Sequence, residues 1–112
     1  MNNILFEHPA NHYMVDIETL GRNNAPIIEI GVIQFNIHTG DYIGILSDVI
    51  DLRSCLDYGL KIDPATLKWW LNTDPKKLRE ILSDPNAVPL ENALNRFKNY
   101  FSRNTSCGKY FV

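Results

Sequence analysis

Two carboxylates, Asp16 and Glu18, stand two positions apart in the segment His12-Tyr-Met-Val-Asp-Ile-Glu-Thr-Leu-Gly21. The apolar and aromatic residues around them read as a β-strand, in which side chains at i and i+2 point to one face. The spacing therefore sets the two acids side by side, with Ile17 turned the other way. Paired anions at the end of an apolar strand repel each other, and burying them costs free energy. A hard cation between them removes that cost. Mg²⁺ suits the arrangement, because it takes few carboxylates and keeps positions open for water and phosphate oxygens.

The elements that must hold this pair follow in order. Thr19-Leu20-Gly21 turns the chain out of the strand. A second apolar run, Pro26-Ile-Ile-Glu-Ile-Gly-Val-Ile-Gln-Phe-Asn36, comes at hairpin distance. Its apolar residues fall on both faces, which predicts a central strand covered on both sides. His38-Thr-Gly40 reads as a turn, and Tyr42 to Asp51 as a third strand. The second half reads as helical. Asp63-Pro64 and Asp74-Pro75 each put a capping acid before a proline at a first helical position. These predict helices over 64–72 and 75–83. Asp84 to Pro89 is a turn. Pro89 then opens a helix whose stripe is Leu90, Ala93, Leu94, Phe97 and Phe101, at i, i+3, i+4 and i+7 spacing.

Three of these segments resemble a known family. Met14-Val-Asp-Ile-Glu-Thr-Leu-Gly21 and Ile27-Ile-Glu-Ile-Gly-Val-Ile-Gln-Phe35 are similar to the first motif and second strand of the DEDD 3′–5′ exonucleases. Ile62-Asp-Pro-Ala-Thr-Leu-Lys-Trp-Trp-Leu71 resembles the helix after the third strand in the branch of the phage exonuclease DexA and small bacterial exoribonucleases. The resemblance runs from about residue 12 to 101. It implies an α/β, ribonuclease-H-like mixed sheet flanked by helices. It also implies removal of nucleotides from the 3′ end of single-stranded DNA or RNA, with Mg²⁺ or Mn²⁺ held by four acids. Asp16 and Glu18 match the first two acids, as catalytic residues and metal ligands. Thr19, Leu20 and Gly21, which follow them in the motif, are carried over as substrate-binding.

The family's third and fourth acid motifs have no match. There is no Asp after Asp84, no Glu after Glu91 and no His after His38. Two carboxylates cannot fix two metals about 4 Å apart for an in-line displacement. The residue that would deprotonate the attacking water has no match either. The expectation is a C-terminally truncated fold: an N-terminal extension over 1–11, a partial exonuclease domain over 12–101 and an unrelated tail over 102–112. Such a chain is expected to be inactive alone, with the missing acids supplied by a complementing chain or a second copy. The alternative is a non-catalytic remnant, or a nucleic-acid- or partner-binding module, from a decayed prophage gene. The strand that follows the last helix in the family has no visible counterpart. Apolar sheet surface should then lie uncovered and favour self-association.

Composition bounds these readings. The 112 residues carry a net charge of −2 and support one small core. No apolar run is long enough to span a bilayer, and the N-terminus lacks a signal-peptide pattern, so the cytoplasm is the default compartment. Cys55 and Cys107 are expected as free thiols there. Trp69 and Trp70 could stack on bases, although an amphipathic helix more often buries at least one such ring. His8 and His12 have metal-ligand spacing, but Pro9 argues against the helix this would need. Lys76, Lys77 and Arg79, then Arg96, Lys98, Arg103 and Lys109, could meet phosphates or form a solvated face. Asn104-Thr-Ser106 fits a glycosylation acceptor, which has no meaning in a chain without a secretion signal.

Overall fold

The computed structural model describes residues 12–103 and the backbone of 110–111. The chain opens with a three-strand meander. Strand β1 spans His12–Thr19, β2 Ile27–Phe35 and β3 Tyr42–Val49. Both pairings are antiparallel, and Glu18 lies opposite Glu29, while Asp16 lies opposite Gly31. The register slips at Glu18/Thr19, where β2 contributes one extra residue, so the strand bends where the acids end. The turn between β2 and β3 is held by Asn36, whose Oδ1 accepts the amides of His38 and Thr39. Gly40 takes the positive φ of 75° that this turn requires.

Four helices follow: α1 Leu52–Asp57, α2 Pro64–Thr73, α3 Pro75–Leu82 and α4 Leu90–Arg103. The two Asp-Pro signals act as predicted. Asp63 Oδ2 accepts from Thr66 N and Thr66 Oγ1 at 3.2 and 2.8 Å. Asp74 Oδ1 accepts from Lys77 N at 3.1 Å. Helix α1 was not anticipated. It is short and ends at Gly59, whose φ of 89° stops it in the left-handed region. Helix α4 begins where Leu90 N donates to Ser54 Oγ at 2.9 Å, which ties it to α1.

Three apolar clusters join these elements. Leu20, Ile28, Trp70, Leu78 and Ile81 close the end of the sheet where β1 finishes. Ile30, Ile50, Cys55, Leu90 and Ala93 hold α1 and α4 against the middle. Tyr13, Val32, Leu46 and Phe101 fill the other end. Of the predicted α4 stripe Leu90, Ala93 and Phe101 are buried and Phe97 is half-buried, whereas Leu94 faces solvent.

The sheet order is β3-β2-β1-β4, with Tyr110–Phe111 forming β4 parallel to His12 and Tyr13. A mixed sheet is what the sequence implied. A fourth strand within residues 102–112 is not, because two residues, though of strand-favouring types, are too few to show a strand pattern. Cover on β2 is also unequal. Ile28, Ile30 and Val32 are buried, whereas Ile27, Gly31 and Ile33 are only half-buried. On that second face Met14 is 51% and Ile45 63% exposed, and they border a shallow trough of about 420 Å³ with Asp16, Gly31, Ile33 and Ser47. No helix among the described residues is long and apolar enough to cross a membrane.

Candidate active site

Asp16 and Glu18 share the less covered face of β1, as their spacing predicts. Asp16 is exposed and Glu18 half-buried. The antiparallel register adds Glu29 directly opposite Glu18. Like charges facing each other across a ladder are destabilising. Lys77 of α3 relieves this, with Nζ 3.3 Å from Glu18 Oε1. The Lys77 ammonium is pushed up from its ordinary lysine value. The bond to Glu18 is the largest cause, partial desolvation opposes it, and the charges of Glu18, Glu29 and Asp16 add to it. Sequence reasoning did not single out Glu29, and it named Lys77 only as part of a basic patch, not as a neighbour of the acid pair. A paired register of the β1–β2 hairpin would have found the first. Only the tertiary fold finds the second.

Hydrogen bonds and close packing hold the turn after β1. Thr19 Oγ1 donates to Gly21 O at 2.9 Å. Leu20 N donates to Pro26 O, and Asp63 N donates to Leu20 O, at 3.0 and 2.9 Å. Trp70 Nε1 donates to Thr19 O at 2.9 Å. Gly21 is packed so closely that a Cβ there would lie 2.6 Å from Ala25 Cβ and 3.0 Å from Asp63 Cβ. Leu20 itself is wholly buried in the core. Thr19 and Gly21 instead line an open cleft of about 570 Å³, together with Glu18, Arg22, Thr66 and Trp69. The tryptophan pair divides: Trp70 is core, and Trp69 is 56% exposed on the cleft wall. An acid, an arginine and an open indole on one cleft match the needs of a nucleotide, namely charge near the phosphate and a flat surface for the base.

The other candidates are dispersed. His12 is buried with its ring tilted against Phe35, 6.1 Å between centroids. His8, Cys107, Lys109 and the glycosylation-like triplet lie outside the described residues, as does the side chain of Arg103. Cys55 is a buried free thiol. Arg96 does have an acidic neighbour: its NH1 reaches Asp48 Oδ1 at 3.1 Å across α4 and β3.

Asp16 and Glu18 offer carboxylates on one face for at most one divalent cation: Asp16 is open to water, and Glu18 is already paired with the Lys77 ammonium. Among the described residues no three His, Cys, Asp or Glu converge closely enough to hold a metal together. A second ion therefore has no ligand set of its own here.

The family described as the 3′–5′ exoribonuclease Rv2179c-like domain matches residues 11–111. No curated protein sequence matches. Among solved structures, cell-death related nuclease 4 superposes with a TM-score of 0.58 at 11% identity, over 93% of this chain and 35% of that one. The nuclease domain of 3′hExo, a DEDDh family member bound to rAMP, gives 0.52 at 14%, over 89% of this chain and 48% of that one. At these identities the likeness is one of fold, and this chain spans less than half the length of either.

Proposed function

Since the chain belongs to the 3′–5′ exoribonuclease Rv2179c-like domain family, we propose that it carries the first half of a metal-dependent exonuclease site and receives the 3′ end of a single strand in its cleft. Asp16 and Glu18 are the residues that would hold Mg²⁺ or Mn²⁺. Such an ion, when bound, supplies charge to a scissile phosphate and lowers the pKa of a water. Trp69 offers a stacking surface for the terminal base, and Arg22 a cation for the sugar–phosphate. Thr19 and Gly21 keep the cleft floor rigid, and Leu20 anchors that turn from the core side. RNA is the favoured substrate class, as the family name indicates. The observation that carries the reading is the acid pair on one sheet face beside a cleft with an open indole.

Hydrolysis by the chain alone is not expected. With two acids, one ion binds weakly, and nothing in the set orients an attacking water. Acids from a second polypeptide or a second copy, docked on the open face beside Met14 and Ile45, would complete the site. The second reading is a binding module without catalysis. It is favoured by the lack of a third convergent metal-ligating residue among those described.

A 5′-labelled oligoribonucleotide with a free 3′-OH tests the proposal. It should quench Trp fluorescence, and Trp69→Ala should remove the quench. It should remain untrimmed in MnCl₂. Binding indifferent to Trp69→Ala and Asp16→Asn would overturn the assignment of the cleft. Trimming by the isolated chain would overturn the expected inactivity.

A further inference from the structure

We propose that Lys77 is a built-in counter-cation that occupies the metal position of the acid pair, so that a divalent ion enters only by displacing it. This rests on the reading of Asp16 and Glu18 as metal ligands.

The geometry sets both halves of the argument. Lys77 sits in the first turn of α3, and its own amide is fixed by the Asp74 cap at 3.1 Å. From there its side chain reaches Glu18 Oε1 at 3.3 Å. It faces a surface on which Asp16, Glu18 and Glu29 are brought together by the β1–β2 register. Without an opposing charge that face would hold three neighbouring carboxylates. Lys77 removes the repulsion when no ion is present, and this lets the acids stay on an ordered strand.

The same contact is easy to break. It is a single, long ion pair, and the lysine side chain remains 43% exposed. An ammonium on a flexible stem is strongly hydrated, so leaving for water costs little. The contrast lies within the molecule. Arg96–Asp48 is shorter, at 3.1 Å, and its carboxylate side chain is only 6% exposed. A divalent ion held by the same Glu18 carboxylate would bring a second positive charge close to the ammonium, and the two like charges would disfavour each other. Metal affinity is therefore set by a competition that Lys77 enters, as well as by the number of acids.

The test is an MnCl₂ titration of the full chain, with free Mn²⁺ read by electron paramagnetic resonance. Wild type is compared with Lys77→Met, Lys77→Arg and the pair Asp16→Asn/Glu18→Gln. Lys77→Met keeps the apolar stem and removes the charge. It should bind Mn²⁺ roughly three- to tenfold tighter than wild type. Lys77→Arg should bind as wild type does. Amide line broadening should centre on Asp16 and Glu18. Equal affinity in wild type and Lys77→Met would overturn the role of Lys77 and leave the metal reading standing, as would tightening in Lys77→Arg equal to that in Lys77→Met. Absence of binding in both, or binding that survives loss of both acids, would overturn the two together.

Discussion

The indole N–H of Trp70 donates a 2.9 Å hydrogen bond to the carbonyl of Thr19, 51 residues earlier in the chain. The bond ties α2 to the turn that ends the acid strand. It gives the neighbouring Trp69 its place on the cleft wall, because one ring is locked in the core while the other is left outside. Trp70→Phe keeps most of the volume and strands the carbonyl. It should cost about 1–2 kcal/mol in urea unfolding, and it should weaken Mn²⁺ binding by loosening Glu18. A variant as stable as wild type would mean the bond carries no net energy.

Gly21 is the narrowest point of the site. An added methyl meets Ala25 Cβ and Asp63 Cβ, both too close to the backbone to swing aside. Gly21→Ala is therefore expected to lower stability by about 1–3 kcal/mol. The same change at Gly40, an exposed turn, has free space around it but a positive φ. There the cost should be about 1 kcal/mol and come from the backbone alone. Thermal melts of the two variants separate crowding from backbone strain.

Arg96→Ala should destabilise the fold by about 1–3 kcal/mol, because it leaves the Asp48 carboxylate buried without its cation. Adding Asp48→Asn should recover part of that loss. Additive losses in the double variant would show that the two residues do not act as a pair.

Alkaline pH should unfold the chain early. Burial pushes up the Tyr13 phenol, with the nearby Tyr100 adding to it, and burial likewise pushes up Tyr100. Burial also raises the Cys55 thiol, against hydrogen bonding with the Ser54 side chain and the Ile27 backbone that lowers it. Each group holds its proton more tightly folded than unfolded. Their contribution is complete below the ordinary values of about 8.5 for a thiol and 10 for a phenol, and it is lost as pH rises through the folded values. Melts between pH 8 and 11 should fall in that window, and Tyr13→Phe should flatten the upper part. A stability profile level to pH 11 would contradict this.

The open face predicts association. Met14 and Ile45 stand exposed around the trough, and apolar sheet surface of that kind pairs with another chain. Sedimentation at low micromolar concentration should show species larger than a monomer, and Ile45→Lys should return them to monomer. A wild-type monomer at high concentration would reject the idea.

Much of this was legible in the residues themselves. Short apolar runs separated by turn residues located three strands, and two Asp-Pro pairs located α2 and α3, because those signals are local. Helix α1 was missed although Gly59 marks its end, since six residues are too few to show a period. Leu94 fits the α4 stripe by spacing yet faces water. In the site, Asp16 and Glu18 were visible because their relation is two residues long. Glu29 needed the strand register. Lys77 needed the packing of a helix 59 residues away from Glu18, a distance at which no spacing rule operates. The strand at Tyr110–Phe111 is defined by its partner, β1, because two residues, even of strand-favouring types, are too few to show a period.

That last pairing also bears on the order of folding events. β1 meets β2 and β3 through short connections, whereas β4 joins residues 110–111 to residues 12–13, near opposite ends of the chain. Loop closure makes the long-range pairing the slower one to nucleate. Pulse-labelled hydrogen exchange should protect the amides of Ile30 and Val32 before those of Tyr110 and Phe111. During synthesis the meander that aligns Asp16, Glu18 and Glu29 leaves the ribosome first. The acid face can thus be assembled before the final strand has been translated.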